Sequence, residues 1–155
     1  MMGHSPCLLV LNAAESLLQI VIARKESGPD GRDSLVPLCA ESWHAPSQGA
    51  ELLAPALRDA LARLRLQATD IDRIGCVRGP GSFTGVRLAL ATAAGFSRAT
   101  GALQAGLDYL PLLAQSAWAL INAFIPGPAY IWALTHARRE LVHLQGFEVR
   151  SDLAP

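Results

Sequence analysis

The residues best suited to chemistry lie in one glycine-rich segment, Gly79–Arg87, which reads Gly-Pro-Gly-Ser-Phe-Thr-Gly-Val-Arg. Gly79 and Gly81 permit backbone angles that other residues avoid, and Pro80 stiffens the bend. Ser82 is predicted to cap a helix that begins here, and the free amides at such a helix start attract anions. The candidate anion contacts are therefore Gly79, Pro80, Gly81, Ser82, Phe83, Thr84, Gly85 and Arg87.

This segment differs from three better-known glycine motifs. It is not a P-loop, because no Lys-Ser or Lys-Thr pair follows its last glycine. Its spacing, G-x-G-x-x-x-G, is one residue longer than the dinucleotide-binding fingerprint. The second glycine of Gly-Ser-Phe-Thr-Gly also comes one place too late for the nucleophile elbow of a hydrolase. A structural turn and a phosphate contact are both compatible with the residues alone.

Other residue types that could do chemistry give weaker patterns. His136 and His143 would lie on opposite faces of a continuous strand, and Glu140 between them does not complete the HExxH arrangement. We therefore predict no metal site. The three cysteines form no CxxC pair and are predicted to be small buried side chains in a reducing compartment.

Charge sets limits on the partners. The chain has 13 basic and 13 acidic residues, which argues against binding a polyanion by bulk charge. Basic side chains nevertheless concentrate in the middle third, at Arg58, Arg63, Arg65, Arg73, Arg78 and Arg87. We interpret them as a solvated face with local ion pairs, and contact with the phosphates of a nucleic acid is the alternative.

No membrane or secretion signal is predicted. The first residues lack a basic region followed by an apolar stretch, so we expect a cytoplasmic protein. The most apolar stretch, Tyr109–Ile125, is at the short limit for crossing a bilayer and contains Pro111 and Asn122. A buried helix explains it better.

The elements that must position the glycine-rich segment follow from hydrophobic periodicity. The predicted order is β-β-β-α-β-α-β-α followed by β-β, typical of an α/β, ribonuclease-H-like fold with a mixed sheet and flanking helices. A polar, turn-rich loop is predicted over Lys25–Ser34, and Pro55 either kinks the first helix or marks its first turn. Predicted strands are Cys7–Leu11, Leu17–Ala23, Leu35–Trp43, Arg73–Arg78, Leu103–Leu107, Ala129–Leu134 and Leu141–Val149; predicted helices are Leu53–Leu64, Phe83–Ala99 and Asp108–Phe124.

The helix Phe83–Ala99 carries only two charged residues, Arg87 and Arg98. A helix that is apolar on most sides must be covered on most sides, and small residues let another helix approach closely. Either the rest of this chain or a second protein supplies that cover. The predicted partner interface comprises Leu53, Leu57, Val86, Ala89, Leu90, Thr92, Ala93 and Phe96.

The segment Gly79–Arg87, preceded by the strand Ile74–Arg78, resembles the signature of the TsaB (YeaZ) family. The helix with Leu52, Leu53 and Pro55 and the segment Leu134–Arg139 fall where that family has corresponding segments.

This resemblance implies the actin-like, Hsp70-like ATPase-superfamily fold, with a ribonuclease-H-like N-terminal lobe over residues 1–106 and the truncated start of a second lobe over 107–155. It also implies a non-catalytic subunit in the biosynthesis of N6-threonylcarbamoyladenosine in tRNA. Such a subunit pairs with the transferase TsaD through the helices of the first lobe, an ATPase like TsaE joins them, and contact with tRNA is indirect.

The sequence departs from the family pattern at the end of the first strand. Asn12-Ala-Ala14 stands where relatives have Asp-Thr-Ser, and His136 replaces the acid of an Asp-Ala-Arg segment. We therefore expect no cofactor of its own, with ATP and magnesium only at a complex interface. The alternative is a degenerate nucleotide-binding homodimer without a role in tRNA modification.

Overall fold

The computed structural model describes residues 5–45, 49–122, 124 and 129–149. Its elements agree with the predicted order. The strands are β1 Cys7–Asn12, β2 Leu17–Ser27, β3 Asp33–His44, β4 Ile71–Val77, β5 Leu103–Leu107, β6 Ala129–His136 and β7 Val142–Val149. The helices are α1 Gly49–Arg63, α2 Phe83–Thr100 and α3 Tyr109–Ile121, and a single turn of 3₁₀ helix, Ala68–Asp70, precedes β4.

The described strands form a five-stranded sheet in the order β3-β2-β1-β4-β5, called here the large sheet, and a two-stranded sheet of β6 and β7. β1, β2 and β3 pair antiparallel, which their short connections allow. β4 pairs parallel to β1, and β5 pairs parallel to β4. Helices make the crossover connections that lead to β4 and β5. β1 and β4 lie at the centre, where continuous apolar runs are expected.

Helices α1 and α2 cover one face of the large sheet. Leu53 and Leu57 of α1 and Ala89 and Ala93 of α2 point inward. They pack against strand residues that include Leu9, Leu11, Ile20, Ile22, Ile74 and Cys76. This core fixes the orientation of α2, and with it the glycine-rich segment at its start.

The predicted loop over Lys25–Ser34 was too long. β2 and β3 continue through most of it, and the turn is confined to residues 28–32. Lys25 Nζ lies 2.6 Å from Asp33 Oδ2, and Ser27 Oγ lies 2.7 Å from Asp33 Oδ1. Polar side chains on an exposed part of the sheet thus pair across the strands, although their composition resembled that of a loop.

Helix α1 contains Pro55 in its interior, because the helix begins at Gly49. The prediction that Pro55 marks the first turn of this helix is therefore wrong. The Pro55 side chain is exposed, so its ring does not interrupt the packing of Leu53 and Leu57 against the sheet.

Helix α3, β6 and β7 form a second unit, called here the hairpin unit. Leu110, Ala114 and Trp118 of α3 pack against Ile131 and Ala133 of β6. This cluster is separate from the core under α1 and α2. The division into lobes at residue 106 stays a prediction, and residues 150–155 of the second lobe lie outside the described residues.

A groove of about 540 Å³ separates α3 from the face of the large sheet opposite α1 and α2. Val10, Val21 and Val77 line it from the sheet, and Tyr109 and Leu112 line it from α3. Within the described ranges no helix is both long and apolar enough to cross a membrane.

Candidate functional site

The glycine-rich segment forms the connection between β4 and α2. Gly79 has a φ of +99°, in the region that favours glycine, and Ser82 is the N-cap of α2. The Gly85 amide donates to Ser82 Oγ at 3.2 Å. The predicted cap is therefore confirmed, and it satisfies one of the first free amides of the helix.

This turn presses directly against the connection between β1 and β2. The Ser82 amide donates to the Ala14 carbonyl oxygen at 2.5 Å. A Cβ atom on Gly81 would lie 2.2 Å from that oxygen, and one on Gly85 would lie 1.9 Å from the Ala13 oxygen. Two of the glycines are thus required by close backbone approach. The turn was predicted from the sequence, but the segment that it contacts was not.

Asn12, at the end of β1, stabilises the same connection. Its Oδ1 accepts from the Ala14 amide at 2.9 Å, and its Nδ2 donates to Gln19 Oε1 at 2.8 Å. The side chain therefore holds the tight turn that carries Ala13 and Ala14. In this geometry the Asn12 amide joins the turn to β2, and a hydrogen bond with the Tyr109 side chain joins it to α3.

The candidate anion contacts Ser82 and Thr84 line a cavity of about 90 Å³ near the starts of α1 and α2. The wall of this cavity includes Glu15, whose carboxylate would repel an anion. The volume is also far below the roughly 300 Å³ at which ligand pockets begin. Anion binding at the turn stays a prediction that this geometry does not favour.

Two contacts join the turn to the start of α3. Arg78 Nε and Nη2 donate to the Asp108 carboxylate at 2.7 and 3.1 Å. These bonds lower the pKa of Asp108 and raise that of Arg78. The Tyr109 amide donates to the Gly79 oxygen at 2.8 Å. Burial raises the pKa of the Tyr109 phenol, and the charge of Glu15 adds to this shift.

A second link between the large sheet and the hairpin unit lies at Thr135 of β6. Thr135 Oγ1 donates to Glu15 Oε1. Glu15 belongs to the same β1–β2 connection that touches the turn. Sequence reasoning missed this contact, because the two residues are 120 positions apart.

Helix α2 has two contrasting faces. Ala89 and Ala93 are fully buried, while Phe83 is 68% exposed. The Arg87 guanidinium lies 3.8 Å from the centroid of the Phe83 ring, in cation–π geometry. We call the exposed side the outer face of α2; it consists of Phe83, Arg87, Ala91, Ala94, Gly95 and Arg98.

The predicted partner interface is corrected at four positions. Leu53, Leu57, Ala89 and Ala93 are at most 6% exposed and form the chain's own core, so they are unavailable to a partner. Their apolar character reflects packing on the large sheet. The other predicted residues, Val86, Leu90, Thr92 and Phe96, are half-buried along the edges of α2.

Three of the arginines in the middle third are paired with acids. Arg63 contacts Glu41, Arg58 Nε lies 3.1 Å from Asp59 Oδ1, and Arg78 binds Asp108. At these positions the structure agrees with local ion pairs. Arg65, Arg73 and Arg87 are exposed.

The histidines and cysteines form no site in the part of the chain that the structure describes. His136 Nε2 lies 3.1 Å from the Arg139 carbonyl oxygen, and no described group of three or more metal-ligating side chains occurs. Cys7 and Cys76 are buried, Cys39 is half-buried, and all are free. Burial raises the pKa of the Cys76 thiol to about 11, which keeps the thiol protonated near neutral pH.

The mixed five-stranded sheet, its flanking helices and the hairpin that follows define an actin-like, ribonuclease-H-like ATPase fold, as predicted. The model of the family described as "TsaD: tRNA N6-adenosine threonylcarbamoyltransferase" matches residues 36–151. The chain belongs to this family.

Individual relatives agree with the predicted resemblance to TsaB (YeaZ). The tRNA threonylcarbamoyladenosine biosynthesis protein TsaB of Escherichia coli (strain K12) is 34% identical over 73 residues, covering 47% of this chain and 32% of that protein. YeaZ from Pseudomonas aeruginosa has the same fold, with a TM-score of 0.74 at 24% identity. That match covers 94% of this chain and 62% of YeaZ. The resemblance is confirmed, and this chain spans less than two thirds of either relative.

Proposed function

We propose that this chain acts in the biosynthesis of N6-threonylcarbamoyladenosine in tRNA, as a partner subunit without catalysis of its own. In this proposal it docks a TsaD-type transferase through the outer face of α2. A TsaE-like ATPase and tRNA join the assembly through the transferase. The relatives support the pathway, and the surface of α2 supports the docking role.

The observation that carries the docking role is the uncovered outer face of α2. Ala91, Ala94 and Gly95 are exposed there, and a Cβ atom at Gly95 would meet nothing within 4 Å. Glycine inside a helix costs about 1 kcal/mol relative to alanine, and no contact within the described chain requires it here. A second helix approaching closely would require such small residues.

The charge of this face indicates the kind of surface it fits. α2 contains no acidic residue, and Arg87 and Arg98 lie at the two ends of the outer face. A partner helix with small or apolar residues at its centre and acids at both ends would complement it. Binding should then weaken as salt concentration rises.

The absence of catalysis is supported by the turn after β1. According to the resemblance, Asn12 stands where a carboxylate could orient a metal ion, and Ala13 and Ala14 stand where hydroxyls could contact phosphate. The carbonyl oxygens of these alanines contact the start of α2. We propose that the chain holds no cofactor of its own, and that any ATP with magnesium is bound where it meets a partner.

The test is co-elution with the TsaD-type transferase of the same cell in size-exclusion chromatography. Ala94→Glu places a carboxylate at the centre of the outer face, where docking would bury it without a partner at a cost of several kcal/mol. Ala93 is unsuitable for this purpose, because its side chain is already inside the core. Ala119→Glu, at an exposed position of α3, is the matched control.

We expect the wild type and Ala119→Glu to co-elute with the transferase and Ala94→Glu to elute alone as a folded protein. Co-elution of all three proteins would reject the outer face of α2 as the interface. Failure of the wild type to co-elute, together with a stable self-dimer, would favour the degenerate homodimer instead.

A further inference from the structure

The hairpin unit touches the large sheet through polar contacts clustered beside the glycine-rich turn. Thr135 of β6 binds Glu15, and at the start of α3 Tyr109 binds Gly79 and Asp108 binds Arg78. Along the rest of α3 the groove lies between the helix and the sheet. Among the described residues, these polar contacts between the hairpin unit and the large sheet therefore lie at one end of the groove.

Thr135 is an unusual member of this group. Within the described residues it is the one polar side chain that is buried, at 3% exposure. A buried hydroxyl that loses its partner costs about 1–3 kcal/mol, so its bond to the Glu15 carboxylate is strongly favoured. The hydroxyl thus ties β6 to the β1–β2 connection.

The β1–β2 connection passes this restraint to the start of α2. Glu15 directly follows Ala14, whose carbonyl oxygen accepts from the Ser82 amide at 2.5 Å. The Ala13 oxygen lies against Gly85 with no room for a Cβ atom. A shift of the connection would therefore have to move or loosen the first turn of α2.

We propose that Thr135 and Glu15 form a latch by which the hairpin unit holds the first turn of α2 in its docking position. Both are positioning residues, acting on Ser82 and Gly85 through the backbone of Ala13 and Ala14. The latch rests on the proposed function only in that α2 is taken as the docking helix. Releasing it lets the first turn of α2 open locally without unfolding the core.

Hydrogen exchange of the backbone amides in the free chain tests the latch without any partner. Thr135→Val keeps the shape of the side chain and removes the hydroxyl, and Thr135→Ser keeps the hydroxyl as the matched control. We expect Thr135→Val to speed exchange of the Ser82, Gly85 and Val86 amides about tenfold, the effect of losing one hydrogen bond. Exchange at the end of α2, from Ser97 to Gly101, should stay unchanged, as should every amide of Thr135→Ser.

Two outcomes would overturn the latch. One is unchanged exchange at Ser82 in Thr135→Val. The other is an equal acceleration of all core amides, which would mean that Thr135 only stabilises the fold. Thr135→Val could destabilise the whole fold as well as remove the hydrogen bond. Glu15→Ala therefore provides a second test, in which the acceptor of the same bond is removed. We expect the same local acceleration of exchange in Glu15→Ala. Unchanged exchange at the Ser82, Gly85 and Val86 amides in this variant would also reject the latch.

Binding to the transferase then separates this inference from the proposed function. If both hold, Thr135→Val co-elutes less with the transferase than Thr135→Ser does. If the latch holds and the docking role fails, exchange at Ser82 responds while no variant co-elutes. If only the docking role holds, wild type and Thr135→Val co-elute equally and exchange is unaffected.

Discussion

Helix α2 contains two glycines in opposite surroundings. A Cβ atom at Gly85 would lie 1.9 Å from the carbonyl oxygen of Ala13, whereas one at Gly95 would meet no atom within 4 Å. Gly85 is thus needed by the fold of this chain, and Gly95 is not. The difference shows that the start of α2 is fixed by internal contacts, while its middle presents a surface with space beside it.

The largest effect is expected for Gly85→Ala. The added methyl group would overlap backbone atoms that cannot move without displacing the β1–β2 connection, and overpacking of this kind costs about 3 kcal/mol. Urea unfolding at equilibrium measures the change. An unaltered midpoint would show that the contact between Ala13 and Gly85 is looser than the structure indicates.

Gly95→Ala is the matched substitution in the same helix, and its expected effect on the free energy of unfolding has the opposite sign. Alanine there replaces a poor helix former without a clash, and we expect the free chain to gain about 0.5–1 kcal/mol in stability. If the outer face docks a helix closely, the same methyl group should weaken co-elution with the transferase. A more stable protein that binds equally well would place Gly95 outside the interface.

The smallest effect concerns the ion pair of Arg78 and Asp108 beside the turn. Bonding to Arg78 lowers the pKa of Asp108 below its usual 3.8 in the folded state. Its contribution to stability is therefore present above pH 3.8 and disappears as the pH falls through the lower, folded-state value. Both side chains are solvent-exposed, so the contribution is small.

Thermal unfolding between pH 2 and pH 7 measures this contribution. We expect Asp108→Asn to lower the melting temperature slightly at pH 7 and to converge on the wild type at the acid end. Asp59→Asn, which removes an acid paired with its neighbour Arg58 on α1, controls for the loss of one negative charge. Curves for Asp108→Asn and the wild type that stay parallel down to pH 2 would contradict the pKa assignment.

Much of the fold could be predicted from the sequence because hydrophobic period and turn residues are local signals. The cap at Ser82 and the start of α2 at Phe83 follow from neighbouring residues. The loop over Lys25–Ser34 was overestimated because paired polar side chains on an exposed sheet edge have the composition of a turn.

The candidate site was less predictable, since its contacts join distant segments. The closeness of Ala13 to Gly85 and the bond between Glu15 and Thr135 depend on how the strands are arranged. A pattern of glycines indicates that another segment of the backbone lies close to them. It does not identify that segment. Likewise, Leu53 and Leu57 have the same apolar character in a core as in an interface, and only their burial separates the two.

Helix α2 illustrates what each level of structure determined. The sequence alone established a long helix with two arginines, no acid and many alanines, opened by a glycine-rich turn. It did not determine which alanines face inward, because Ala89 and Ala93 are chemically identical to Ala91 and Ala94. The positions of α1 and the large sheet decided this by burying the first pair and leaving the second in solvent.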